Sequence, residues 1–209
     1  MLEFTDQIGR TPTLQDMREI VCDARTYSDP QGEDEDEDYE VARRVDEAGR
    51  GRLSTAEREA RRKDAERTYL KSGEARVQLD NLLSSMERDM HDLLQRDHKD
   101  DQPMPWVLRD VGYTNNYRRR LRAQEGLKSS SNPLMSLFNA IAQSNPTFMA
   151  REKAANAANT NAAGAVNITA VQYRLHGDVI FQSFRWEHAF IAEIVFTVLA
   201  QSYTWLGRG

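Results

Sequence analysis

The chain has 209 residues, 29% of them charged and 39% hydrophobic, and carries a net charge of -5. That length allows one ordinary domain with extensions or two small ones, and the low apolar share predicts segments that stay solvated or find their core in a partner. The single cysteine, Cys22, excludes an intramolecular disulfide framework, and the acidic balance disfavours indiscriminate nucleic-acid binding.

No basic stretch followed by an apolar run opens the sequence, so the expectation is a reducing, intracellular setting, cytoplasm or nucleus. Thr13 is a helix-capping residue, and Leu14, Met17, Ile20, Val21 and Ala24 follow at helical spacing. Asp29, Pro30 and Gly32 end that pattern. The six carboxylates of residues 33–38 repel one another and bury nothing, which predicts a disordered acidic N-terminal segment.

Asp46, Gly51, Leu53 and Glu57 fall at the first, sixth, eighth and twelfth places of an EF-hand loop. Ala48 and Arg50 stand where the third and fifth oxygen ligands belong, and an arginine there repels calcium. The pattern reads as coincidence around a helix start.

That helix is expected over about residues 54–97. Ser54 and Glu57 make a capping box, and the pairs Glu57–Arg61 and Glu59–Lys63 each contribute roughly 0.2–0.5 kcal/mol. Ser72 and Gly73 form a candidate break. Beyond it Leu79, Leu83, Met86, Met90 and Leu93 alternate in steps of four and three, so one apolar face meets a neighbouring helix. The run is short for an autonomous coiled coil, which favours packing in a bundle, with a contact between chains as the sharper reading.

Residues 98–105 end this helix, and Trp106, Val107 and Leu108 form an apolar knot. Tyr117, Arg118, Arg119, Arg120, Arg122 and Lys128 could grip phosphates, with the aromatic ring stacking on a base. Only Arg118 and Arg122 share a helical face, however, so the cluster reads first as a solvated helix paired to acidic neighbours and only second as a nucleic-acid grip.

Asn132 before Pro133, and Asn145 before Pro146, each supply a capping side chain and a proline at the first helical position. Leu134, Leu137, Phe138, Ile141 and Ala142 give the first of these helices an amphipathic face. Residues 154–165, rich in alanine and asparagine, carry no apolar stripe and read as a pliable connector. From Val166 the period becomes two: Val171, Tyr173 and Leu175 share one face, residues 176–178 offer a turn, and residues 179–184 return, which predicts a β-hairpin.

The last stretch is the most apolar. Phe190, Ile191, Ile194, Val195, Phe196, Val198 and Leu199 surround a helix on nearly every side. Glu187, His188, Glu193 and Gln201 weigh against a membrane span, so a membrane is not an expected partner and a tail anchor ranks below a buried or partner-docking helix. No Gly-rich phosphate loop or nucleophile motif appears, and His91, His98, His176 and His188 lack metal-ligand spacing. The sequence therefore nominates no catalytic residue, metal or cofactor.

The resulting expectation is a mainly α protein of bundled or elongated helices, with one hairpin near the C-terminus and a disordered acidic segment. It divides into stretches 1–53, 54–98, 99–131 and 132–209. Separate apolar elements joined by polar stretches suit a non-enzymatic structural or assembly component of a larger complex, such as a viral particle, with protein partners. Its interfaces would be the stripe from Leu79 to Leu93 and the terminal helix. The alternative is a nucleic-acid-associated regulatory or packaging protein using the arginine cluster.

Overall fold

The computed structural model describes residues 2–6, 9–28, 35–50, 67–110, 133–161 and 173–177, with residues 56, 191, 194 and 195. The elements in order are β1 (Leu2–Thr5), α1 (Leu14–Ser28), α2 (Glu35–Arg50), α3 (Gly73–Gln95), β2 (Arg109–Asp110), α4 (Pro133–Ser144), α5 (Pro146–Asn161) and β3 (Arg174–Gly177). The described chain is thus mainly helical, as its sequence pattern predicts.

Helix α1 starts where Thr13 caps it: the Asp16 amide donates to the Thr13 hydroxyl at 3.1 Å. The two amides before it donate to the carbonyls of Gln102 and Asp100, at 3.1 and 3.0 Å. A strap formed by residues 98–104 therefore satisfies the helix end that would otherwise need water. Every apolar position expected on α1 is buried, and Tyr27 joins them. The helix packs against α2, α3 and α4.

Helix α3 begins at Gly73, with the Ser72 side chain accepting from the Ala75 amide at 3.2 Å. The candidate break is therefore a true N-terminus. Leu79, Leu82, Leu83, Met86 and Met90 line its buried face. On the rim of that contact Arg25 of α1 grips both Glu87 carboxylate oxygens at 2.9 Å, donates to Ser84 at 2.9 Å, and reaches Asp80 at 3.2 Å. Positions 80, 84 and 87 lie on one stripe of α3, so one guanidinium spans two turns. The helix closes in a Schellman arrangement: His98 donates to the Leu93 carbonyl and Asp97 to that of Leu94, with Asp97 at φ +60°.

Helix α4 is enclosed from Met135 to Ala142 without interruption, and it touches α1, α2, α5 and β3. Asn145 then begins α5, its Oδ1 accepting from the amides of Thr147 and Phe148, while its Nδ2 donates to Asp23 of α1 at 3.0 Å. One amide group thus caps one helix and ties it to another.

The strands form one antiparallel sheet in the order β2-β1-β3. Opposite β1, Leu2 meets Gly177, Glu3 meets His176, Phe4 meets Leu175 and Thr5 meets Arg174. Phe4 is fully buried beneath it. The core draws on all four stretches of the sequence, from Phe4 through Leu83 and Met104 to Tyr173.

Several expectations need correction. Helix α2 begins at Glu35, inside the acidic run read as disordered. The EF-hand pattern needs no correction: residues 46–50 are helical, so its first positions form no loop, in keeping with its reading as coincidence. Helix α5 extends to Asn161, into the stretch read as a connector. The described β3 pairs with the N-terminal β1, a strand the sequence analysis did not identify; the return arm of the expected hairpin, residues 179–184, lies outside the described residues, as does most of 54–66.

Candidate functional site

The two ends of α1 carry the same polar device. At the C-terminal end the Tyr27 hydroxyl donates to Asp46 of α2 at 2.6 Å and accepts from the Tyr69 amide at 3.1 Å. Asp46 also accepts from the Thr68 amide at 3.1 Å. Arg67 lies over the Tyr27 ring, 5.7 Å from its centroid, and donates to the Tyr27 carbonyl at 3.3 Å. Tyr27, Asp46 and Arg67 are all buried. A cation on a carbonyl of the last helical turn also suits the helix dipole.

At the N-terminal end the Tyr173 hydroxyl donates to Asp16 at 2.6 Å. A tyrosine far along the chain thus fastens the aspartate whose own amide is held by the capping Thr13. Arg151 of α5 grips the other Asp16 oxygen and lies 5.6 Å from the Phe148 ring centroid. The Tyr173 ring packs edge-on against Phe148 at 5.7 Å and obliquely on Phe4 at 6.1 Å. Asp16 and Tyr173 are buried, whereas the Arg151 side chain is 41% exposed.

Burial is the largest reason that both tyrosine hydroxyls hold their protons above the ordinary range, with Asp46 and Asp16 adding to the effect. At neutral pH each is a fixed donor. Neither is primed as a nucleophile or base, so the chemistry of these clusters is fastening.

The expected interface residues divide. Leu79, Leu83, Met86 and Met90 are buried in the chain's own core and Leu93 packs against it. Among the terminal residues, Ile191, Ile194 and Val195 are 61%, 50% and 46% exposed. They are helical and spaced to share one face. Phe190, Phe196, Val198 and Leu199 lie outside the described residues, as do Tyr117, Arg118, Arg119, Arg120, Arg122 and Lys128.

Among the described residues no three His, Cys, Asp or Glu side chains converge to hold a metal ion, and no helix is long and apolar enough to cross a membrane. No sequence motif marks Asp16, Tyr27, Asp46, Arg67, Arg151 and Tyr173 as site residues: Asp16 lies three residues after the capping Thr13, Asp46 falls in the calcium-loop pattern, and Tyr173 sits on one face of the predicted strand. Comparison of the chain with family models, curated proteins and solved structures gives no match.

Proposed function

We propose that this chain is a non-enzymatic structural component of a larger complex, such as a viral particle, and that it docks through its C-terminal helical segment. The observation that carries this reading is the exposed face of Ile191, Ile194 and Val195. Three branched aliphatic side chains at that spacing form the start of a helix-docking stripe. The α3 stripe is already buried against the chain's own core, which concentrates the reading on the terminal segment. Docking buries these side chains against a partner; charge steers the approach.

Because the three residues are exposed, substituting them leaves the core alone. Ile191→Asp and Ile194→Asp should each convert an oligomer, seen by light scattering on the eluting full chain, to monomer, with an unchanged thermal melt. An oligomer that survives both substitutions, or a wild-type chain that is monomeric at every concentration, overturns the reading. Nucleic acid co-eluting with the chain, and lost on replacing Arg118, Arg119, Arg120 and Arg122 with Ala, transfers the function to the alternative.

A further inference from the structure

We propose that the slot holding residues 173–177 is an exchangeable receptor, and that within the assembly it takes this strand from a second copy of the chain. The inference rests on the assembly reading above and specifies what joins the copies.

The slot is built without help from the strand that fills it. Its sheet edge is β1, its aromatic walls are Phe4 and Phe148, and its polar floor is Asp16 with the cap of α1. All of these precede Asn161 in sequence. The strand inserts one aromatic side chain, one hydroxyl and four residues of backbone pairing. The strand also borders α4, which likewise precedes it in sequence.

Charge makes the slot able to stand open. Burying a carboxylate with no partner is prohibitive, so a receptor that depended on Tyr173 alone to stabilise Asp16 would collapse on release. Here Arg151 grips Asp16 independently, and its own side chain reaches water. Withdrawal of the strand leaves an ion pair in place and exposes one hydrogen-bonding edge and two rings. A second copy's strand restores every one of those contacts, because it is the same sequence.

The tether permits it. Eleven residues, 162–172, separate α5 from Tyr173, a length that can span up to about 36 Å. The covalent link makes pairing with the chain's own strand an intramolecular event. A free second copy in dilute solution loses that competition. Copies already gathered in an assembly are likewise held close, and exchange then becomes equal in contacts while linking one copy to the next.

The register gives a direct test. Glu3 and His176 are opposed across β1 and β3, and Cα separations in antiparallel pairs, about 4.5–5.5 Å, lie within the range that a disulfide spans. Full-length chain carrying Cys22→Ser, Glu3→Cys and His176→Cys is oxidised in two states, dilute monomer and assembled oligomer, and run unreduced on a denaturing gel. We expect bonds within one chain from the monomer, and covalent dimers or longer ladders from the oligomer. Bonds confined to single chains in a proven oligomer overturn exchange and leave the assembly reading standing. Absence of any oligomer overturns both. Failure to form either bond refutes the β1–β3 pairing and with it the proposal. Dimers that form equally from chains carrying only one of the two cysteines are collisional, and they overturn it too.

Discussion

The two ends of α1 are fastened by the same pair of residues in different dielectric settings. Tyr27 and Tyr173 each donate to a buried aspartate, and Tyr27 also accepts a backbone amide in return. At the C-terminal end the nearby guanidinium, Arg67, is sealed in with the pair and is directed at a carbonyl. At the N-terminal end the guanidinium of Arg151 holds the carboxylate itself and extends into water. The comparison teaches that one hydrogen-bond motif can serve as a permanent joint or a serviceable one. What differs between them is access to water: the guanidinium beside Tyr27 is buried, whereas the one beside Tyr173 is partly solvated.

The largest effect should separate the two ends directly. Tyr27→Phe removes a donor from Asp46 and an acceptor from the Tyr69 amide in a closed interior, and should destabilise by about 2–3 kcal/mol. Tyr173→Phe leaves Arg151 on Asp16 and should cost about 1–1.5 kcal/mol. Urea melts of the two variants measure both losses; equal losses would break the comparison.

Alkali should act on both ends at once. Each hydroxyl has its folded pKa raised above the ordinary value of about 10, so the neutral form is favoured by folding. That stability is fully present below pH ~10 and is lost as pH rises through the folded values. Stability measured from pH 8 upward should therefore fall beyond pH ~10, and less steeply in either Phe variant. A wild-type curve that stays flat to pH 12 would show that the hydroxyls are not held as described.

The smallest effect is expected at the exposed rim. The Arg25 hydrogen bond holds the Glu87 carboxyl below the usual range, a contribution present above pH ~4.3 and lost as pH falls through the folded value. Both side chains are substantially exposed, so Glu87→Gln should cost no more than about 0.5–1 kcal/mol, and high salt should erase most of that. A larger loss, insensitive to salt, would place this bridge among the structural joints.

Much of the helical frame was legible in the sequence because its signals are local. Thr13 and the five apolar positions after it describe the buried face of α1, and the two Asn-Pro pairs mark the starts of α4 and α5. The stripe on α3 was read correctly as packing and also offered as an interface. What remained hidden has partners far away in sequence. Leu2–Thr5 is too short and unpatterned to announce a central strand. A buried aspartate looks like a surface one until its tyrosine is found, and Asp46 was met first as part of a calcium-loop pattern. Ser72, read from the sequence only as a break, begins α3.

The sequence separations of the two fastenings set an order on folding. Tyr27 and Asp46 are 19 residues apart, whereas Asp16 and Tyr173 are 157 apart. Closing the longer loop costs about 2 kcal/mol more in chain entropy, by the logarithmic dependence on loop length. Loop entropy thus favours closing the C-terminal end of α1 ahead of docking the far strand. On a ribosome the sequence order works the same way: α1, α2 and the Arg67 segment emerge and can close before Tyr173 has been translated.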